Sequence, residues 1–246
     1  MKKVMKIALI NFITSLRLIG TLLLIPVYTI YGGIAAAGVS AFCYITDFVD
    51  GFLARRLKCS TFFGSLFDGA CDKSFNIICF LSLLSITPLA LIPVFLELAI
   101  IAVNGVKYSK NHNVQSNIIG KFKMLIAGIT MPVAFMLTDK FIFNYLSASL
   151  AEKLSKLSSF KLFSILLTPL IISEIATLSS YIGEYQKNKE ENVLDKENND
   201  IIEEEKINIE ELENISTIDF LFKPEVYEKY KDSDGLKLVL KKVKKK

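Results

Sequence analysis

The sequence is poor in the residues that build disulfides and zinc sites. Its 246 residues include only four cysteines and one histidine. The cysteines show no CxxC spacing and lie in or beside long apolar blocks, so we expect no structural disulfides and no thiolate metal site. His112 lies in a polar stretch, and we expect it neither to bind metal nor to act in catalysis. The four cysteines are Cys43, Cys59, Cys71 and Cys79.

Charged residues are nearly absent from several long stretches of the chain. Hydrophobic residues make up 52% of the sequence and the mean hydropathy is +0.42, which is high for a soluble domain. Read with a window of about 20 residues, the pattern predicts an all-α integral membrane protein with six transmembrane helices. Residues 6–15 either form a short interfacial helix or lengthen the first span. The predicted spans are 16–31, 33–57, 62–86, 88–106, 121–143 and 160–183.

Basic residues are missing from the two short loops at 31–33 and 86–88, whereas the N-terminus and the loop at 56–61 contain several. By the positive-inside rule, this asymmetry places the 56–61 loop in the cytoplasm. The loop at 140–161, on the outer side, contains four lysines and follows the rule less well. The first apolar block is long and lacks the small-residue cleavage site of a signal peptide. We therefore expect a multi-pass protein of the cell (plasma) membrane.

The composition changes abruptly at residue 184, which divides the chain into two parts. Residues 1–183 contain 16 basic and 8 acidic residues, whereas residues 184–246 contain 13 basic and 17 acidic residues. The first part is the predicted membrane domain. The second part has the composition of a largely disordered cytoplasmic tail, with a short ordered piece around 220–224. The lysine-rich end at 241–246 is either solvated or in contact with anionic lipid.

Four aspartates lie within otherwise apolar sequence on the second and third predicted spans. Asp47 and Asp50 are three residues apart on one helix, and Asp68 and Asp72 are four apart on the next, so each pair shares a helix face. If the two helices pack antiparallel about the polar break at 56–60, both pairs lie at the same depth. The sequence therefore predicts a cluster of four carboxylates near the cytoplasmic end of these helices.

Such a cluster is unfavourable unless something compensates its charge, because aspartates inside a membrane are costly. Salt bridges to Arg55 or Lys73 would account for one or two aspartates and leave at least two without a partner. A hard divalent cation would compensate the rest, and oxygen-only ligands favour Mg²⁺ or Mn²⁺ over Zn²⁺. Four carboxylates on two facing helices offer enough ligands for two such ions.

The complete pattern is D-x-x-D-G-x-x-A-R, eight residues, then G-x-x-x-D-x-x-x-D, and it begins at Asp47. This pattern resembles the motif of the CDP-alcohol phosphatidyltransferases, and the resemblance covers residues 8–183. It implies a six-helix bundle, usually a homodimer, whose active site opens to the cytoplasmic leaflet. There an alcohol displaces CMP from a CDP-linked lipid, and no nucleic acid is involved.

The resemblance also implies a role for each motif residue. The four aspartates would bind the metal ions, and Asp72 would also take the proton of the acceptor hydroxyl. The two glycines would let the backbone approach the nucleotide, although close helix packing also explains glycines in membrane helices. The residues that would bind the CDP group are Asp47, Gly51, Ala54, Arg55 and Gly64.

The acceptor alcohol is suggested by features around the motif. Ser60-Thr61-x-x-Gly64, Asp72-Lys73 and Gly120-Lys121-x-Lys123 resemble segments of the phosphatidylglycerophosphate synthases, which use glycerol 3-phosphate. The same group has an N-terminal N-x-x-T-x-x-R…P stretch, filled here by Asn11, Thr14, Arg17 and Pro26. Cations for the acceptor phosphate would come from Lys107, Lys110, Lys121 and Lys123, which otherwise serve only as positive-inside anchors.

Three residues depart from that group. Leu96 precedes Glu97 where the group has Arg-Glu, Gly69 replaces a proline, and Met124 replaces a threonine. Glu97, in an apolar span, is itself a functional candidate. The departures concern the acceptor, so serine, inositol phosphate or phosphatidylglycerol remain alternatives.

Two other classes of function are also compatible with aspartates in membrane helices. A divalent-cation transporter would distribute its acidic residues over the full depth of the bilayer and contain an inverted repeat, and neither feature is seen in the sequence. An inactive lipid-binding relative would be expected to lack some of the motif aspartates.

Overall fold

The computed structural model describes residues 3–57, 59–109, 118–144, 149, 154, 157–197 and 216–230. Every regular element within these ranges is helical, so the all-α prediction is confirmed for the part of the chain that is described. Two short 3₁₀ helices, Pro88–Ala90 and Lys140–Asn144, lie between the longer elements. The α-helices are α1 (Lys3–Tyr31), α2 (Gly33–Leu57), α3 (Phe62–Ser82), α4 (Leu91–Ser109), α5 (Ile118–Thr138), α6 (Ser159–Glu197), α7 (Thr217–Phe222) and α8 (Pro224–Tyr230).

Five helices are long and apolar enough to cross a membrane, so the chain fits a multi-pass membrane protein. The helix α3 is not among them, because its 21 residues include Asp68, Asp72 and Lys73. Six spans were predicted, and the sixth depends on whether α3 crosses the membrane. The five spans are Met5–Tyr31, Gly33–Leu57, Pro88–Lys107, Ile118–Thr138 and Ser159–Gln186.

Both ends of the predicted membrane domain continue as helix beyond the predicted spans. The helix α1 runs without a break from Lys3, so residues 6–15 are continuous with the helix of the first span. The helix α6 continues past residue 183 to Glu197. The ordered piece predicted around 220–224 is present as the end of α7 and the start of α8. His112, Lys110 and the lysines at 241–246 lie outside the described residues.

The helices pack so that α1 lies against both helices that carry the motif carboxylates, α2 and α3. The helix α1 contacts both α2 and α3, α2 contacts α5, and α6 contacts both α4 and α5. Gly32, with φ of +86°, makes the sharp reversal between α1 and α2 in a conformation that other residues rarely adopt. A buried apolar core formed by residues such as Phe75, Met131 and Leu167 joins α2, α3, α5 and α6.

Candidate metal centre

The start of α3 is fixed by a side-chain cap. Thr61 has an extended backbone conformation, and its Oγ1 accepts a hydrogen bond of 3.0 Å from the backbone N–H of Gly64. A Cβ at Gly64 would lie 2.9 Å from that Oγ1 and 3.5 Å from Oδ1 of Asn11 on α1. The cap and the approach of α1 leave little room for a side chain at position 64, which explains the glycine there without reference to ligand binding. The cap sets the helical register that carries Asp68 and Asp72.

All four motif aspartates converge on one side chain, the guanidinium of Arg17 on α1. Its Nη2 lies 2.9 Å from Oδ1 of Asp47 and 3.0 Å from Oδ2 of Asp50. Its Nη1 lies 2.9 Å from Oδ1 of Asp68 and also contacts Oδ1 of Asp72. Arg17 is 1% exposed, so these ion pairs form in a site with little water. The structure thus brings together the four carboxylates that the hairpin of α2 and α3 was predicted to align.

The cluster has a closed side and an open side. Asp50 is 2% exposed, and its Oδ2 also accepts a hydrogen bond of 2.9 Å from the hydroxyl of Thr14, one turn before Arg17. Asp72 and Asp47 are 19% and 24% exposed, and Asp68 is 36% exposed. The site is therefore open to ligands on the side of Asp47 and Asp68, whereas α1 closes it behind Asp50.

The carboxylates fit a hard divalent cation. One oxygen from each of Asp47, Asp50 and Asp68 lies within 4.8 Å of the other two, a spacing from which they could share an ion. Asp72 lies beside them, since it shares Nη1 of Arg17 with Asp68. Four carboxylates around one guanidinium leave an excess of negative charge when all are ionised. Oxygen ligands with excess negative charge suit Mg²⁺ or Mn²⁺.

The central position of Arg17 corrects one step of the sequence argument. Arg55 and Lys73 were considered as partners, and at least two aspartates were expected to have none, but Arg17 contacts all four. The reason is that α2 and α3, which were predicted to pack directly on each other, make few close backbone contacts, whereas α1 packs against both and places Arg17 between their carboxylate pairs. The spacing of Thr14 and Arg17, three residues apart on one helix face, was the available signal.

The other motif residues lie on the last turns of α2. Ala54 is half-buried and Arg55 is exposed. A Cβ at Gly51 would lie 3.5 Å from Nη1 of Arg55, so this side chain extends along the helix surface toward Gly51. Arg56, also exposed, places its guanidinium 5.8 Å from the ring of Phe52.

A second buried polar cluster lies among α2, α3, α4 and α5. Glu97 is 0% exposed, and its Oε1 accepts hydrogen bonds from Lys123 Nζ at 2.5 Å and from Asn76 Nδ2 at 2.8 Å. The hydroxyl of Tyr44 donates to Oδ1 of Asn76 at 2.9 Å. Sequence reasoning found Glu97 and Lys123 but missed Tyr44 and Asn76, which carry no charge. Lys73 is half-buried and lies on α3 between Asp72 of the first cluster and Asn76 of the second.

The four lysines predicted for an acceptor phosphate lie in different surroundings. Lys107 is buried, 2.7 Å from Oε2 of Glu184 and 4.9 Å from the centre of the Tyr181 ring, so its charge is already compensated. Lys123 is buried in the ion pair described above. Lys121 is exposed, and Lys110 lies outside the described residues.

Comparison with known proteins places this geometry in a family. The family model for CDP-alcohol phosphatidyltransferase matches residues 7–176. The chain belongs to the CDP-alcohol phosphatidyltransferase family. A relative from Pseudomonas fluorescens, CDP-diacylglycerol--glycerol-3-phosphate 3-phosphatidyltransferase, is 43% identical over 70 residues, which make up 26% of this chain. That match spans only 34% of the relative's length. No solved structure matches the chain.

The family match ends before two features of the structure. Residues 177–197 complete α6, and they include Glu184, the partner of Lys107. The helices α7 and α8 also follow the match. Within the match, Met124, which departs from the phosphatidylglycerophosphate synthase pattern, places its sulfur 3.6 Å from Nδ2 of Asn76 and so joins the second cluster.

Proposed function

We propose that this protein is a phosphatidyltransferase of phospholipid biosynthesis that transfers a phosphatidyl group from CDP-diacylglycerol to glycerol 3-phosphate and releases CMP. The observation that carries the proposal is the convergence of the four motif aspartates of α2 and α3 within a chain of this family. The printed activity of the Pseudomonas fluorescens relative supports the choice of substrates.

The aspartates have two tasks in this proposal. Asp47, Asp50, Asp68 and Asp72 hold Mg²⁺ or Mn²⁺, as one or two ions, on the open side of the cluster. Such ions, when bound, neutralise the oxygens of a diphosphate as its P–O bond breaks. Arg17 holds the two carboxylate pairs in place and supplies a fixed positive charge behind them. The exposed Arg55, whose side chain extends toward Gly51, would meet the nucleotide phosphates together with Ala54 on α2 and Gly64 on α3.

The chemical step is a substitution at phosphorus. The hydroxyl oxygen of the acceptor forms a bond to the phosphatidyl phosphorus, and the bond from that phosphorus to the oxygen of CMP breaks. Asp72 accepts the hydroxyl proton, and the electron pair of the broken bond leaves with CMP. Asp72 suits this role because its carboxylate is partly exposed and it lies on α3 one turn before Asn76 of the second polar cluster.

The acceptor phosphate would then bind between the two clusters. Lys73 follows Asp72 in sequence, Lys123 belongs to the second cluster through its ion pair with Glu97, and Lys121 is the exposed candidate at the start of α5. Lys107 and Lys123 contribute less, because Glu184 and Glu97 already neutralise them. Glycerol 3-phosphate needs such cations, whereas serine does not, so Lys73 and Lys121 support the choice of a phosphorylated acceptor.

The proposed topology has six spans in the cell (plasma) membrane, with α3 as the sixth. Asp68 and Asp72 contact Arg17 of α1, and α3 also packs against α4, so these carboxylates do not face lipid and α3 can cross within the bundle. The motif end of the bundle faces the cytoplasm, where CDP-diacylglycerol and the acceptor meet. A homodimer, usual for the family, completes the proposal.

The experiment is release of CMP by the purified full chain in lipid vesicles containing CDP-diacylglycerol, with each acceptor supplied in turn. We expect CMP with glycerol 3-phosphate only, loss of activity in EDTA, and recovery with Mg²⁺. The Asp72→Asn variant should lose activity, because its side chain cannot take the proton. The control is Asp139→Asn, at the opposite end of the bundle, which keeps its acceptor for the N–H of Phe141. Activity with another acceptor and none with glycerol 3-phosphate would disprove the substrate assignment.

A further inference from the structure

The helices α7 and α8 form a compact C-terminal segment, residues 216–230, that lies outside the family match. Ser216 caps α7, since its Oγ accepts a hydrogen bond of 3.3 Å from the N–H of Ile218. The N–H of Lys223 donates to the carbonyl of Asp219 at 2.9 Å and closes α7, and α8 begins at Pro224. Lys223 and Asp219 also form an ion pair of 2.9 Å.

This segment is docked on the first turn of α3. The ring of Phe222 lies 5.3 Å from the ring of Phe63, and the ring of Tyr227 lies 6.3 Å from that of Phe62 in an edge-on arrangement. Tyr227 is 8% exposed, so the contact buries it. Phe63 in turn stacks on Phe67, at 6.0 Å, directly before the ligand candidate Asp68.

The same surface leaves large apolar side chains uncovered by the protein. Phe63 and Leu66 on α3 are 39% and 57% exposed, and they face away from the bundle. Ile218 and Phe222 on α7 are 67% and 48% exposed. Because Phe222 contacts Phe63, these residues form one continuous apolar surface. A surface that continues the outer face of a membrane helix is expected to meet lipid.

We propose that residues 216–230 are an interfacial anchor, in which docking onto the first turn of α3 places Ile218 and Phe222 at the boundary between lipid headgroups and acyl chains. The inference rests on the proposed topology, in which this end of α3 lies at the cytoplasmic surface of the membrane. It does not depend on which reaction the protein catalyses. The partner is the bilayer itself.

The charges of the segment show what kind of attraction holds it. Residues 216–230 contain three acidic residues, Asp219, Glu225 and Glu228, and two basic ones, Lys223 and Lys229. A segment without an excess of basic residues gains little from anionic headgroups. The anchor therefore binds through apolar side chains, and its insertion should not require anionic lipid or low salt.

The chain contains no tryptophan, so a single introduced tryptophan reports on its own surroundings. The variants are Ile218→Trp and Phe222→Trp, each in the full chain reconstituted in phosphatidylcholine vesicles with or without brominated acyl chains. The matched control is Glu225→Trp. Glu225 and Lys229 are both exposed and four residues apart, on the face of α8 away from the buried Tyr227.

We expect the first two variants to emit at shorter wavelength than the control and to lose fluorescence in brominated vesicles, equally at low and high salt. The control should emit as a solvated tryptophan and keep its fluorescence. Emission at short wavelength without quenching by bromine would mean that another protein surface, such as a second copy, covers these residues. Solvated emission at positions 218 and 222 would mean that the segment lies in water. Either result, or quenching that disappears at high salt, would overturn the proposal.

A second measurement tests the docking independently of lipid. The variant Tyr227→p-benzoylphenylalanine keeps an aromatic ring at this position and should form a photo-cross-link to the first turn of α3, because the ring of Tyr227 lies 6.3 Å from that of Phe62. The control Glu225→p-benzoylphenylalanine, on the exposed face of α8, should not. Quenching by brominated lipid without this cross-link would disprove docking on α3. Release of CMP is measured on the same preparations, so an active protein with a solvated segment would reject the anchor while leaving the proposed function intact.

Discussion

The contact between Arg17 and four carboxylates leads to a quantitative prediction for the Arg17→Met variant. Oxygens of Asp47, Asp50 and Asp68 lie within 4.8 Å of one another. At that separation and an effective dielectric constant of about 20, each ionised pair repels by about 3.5 kcal/mol. Three pairs would repel by about 10 kcal/mol, and less in practice, because water screens the partly exposed Asp68.

The guanidinium of Arg17 offsets this repulsion, since it lies about as close to each carboxylate as a hydrogen-bond partner can. Removing one partner from a buried ion pair costs about 3–5 kcal/mol. Methionine keeps the long apolar stem and removes the charge. We therefore expect Arg17→Met to lower the unfolding free energy by about 3–5 kcal/mol in EDTA, which corresponds to a melting temperature about 6–20 °C lower for a chain of this size.

A divalent cation should reverse most of that loss, because it neutralises the same carboxylates. The assay is circular dichroism of the detergent-solubilised full chain during heating, in EDTA and in Mg²⁺. Mg²⁺ should raise the melting temperature of Arg17→Met more than that of the unmodified chain. Arg56→Met is the control, because Arg56 is exposed and its guanidinium lies against the ring of Phe52.

Two results would refute the reasoning. If Arg17→Met and Arg56→Met melt at the same temperature in EDTA, the guanidinium does not offset the carboxylate charge. If Arg17→Met melts lower by the same amount in EDTA and in Mg²⁺, the loss comes from packing and the carboxylates do not take up the cation.

Two further predictions each compare a substitution with a second substitution in the same chain that serves as its control. Gly64→Ala should destabilise the protein by about 1 kcal/mol through loss of the Thr61 cap, whose Oγ1 lies 2.9 Å from the new Cβ. Gly69→Ala on the same helix meets open space and should instead stabilise by up to about 1 kcal/mol, and melting curves that rank the two equally would contradict this. Lys123→Met should cost about 3–5 kcal/mol, because it leaves Glu97 buried and unpaired. The double variant with Glu97→Gln should be more stable than Lys123→Met alone, and additive losses in the double-mutant cycle would show that the pair is not coupled.

The sequence predicted the features that depend on spacing along one helix. The apolar blocks predicted the long helices, and the spacing of Asp47, Asp50, Asp68 and Asp72 predicted that their carboxylates would meet. The apolar blocks and the aspartate spacing are both local signals. Helical periodicity alone puts Asp47 and Asp50 on one face of α2, and Asp68 and Asp72 on one face of α3.

Features that depend on contacts between distant segments were not predicted. Arg17 lies 30 residues before the first aspartate, and the spacing of Thr14 and Arg17 marks a helix face without showing that this face packs against both α2 and α3. The pairing of Lys107 with Glu184 joins α4 to a part of α6 that was assigned to the tail. The docking of Phe222 on Phe63 also joins distant segments. In addition, the charged residues around Phe222 give this part of the chain the composition of a solvated tail.

The arrangement around Arg17 also explains why an arginine suits this position better than a lysine. Nη2 contacts the pair on α2, Asp47 and Asp50, whereas Nη1 contacts the pair on α3, Asp68 and Asp72. A planar guanidinium holds its nitrogens at a fixed separation, whereas an ammonium offers one nitrogen on a flexible stem. The side chain therefore fixes the distance between the two carboxylate pairs as well as reducing their repulsion. Because that distance is set by α1, the ligand oxygens can hold their positions before a cation binds.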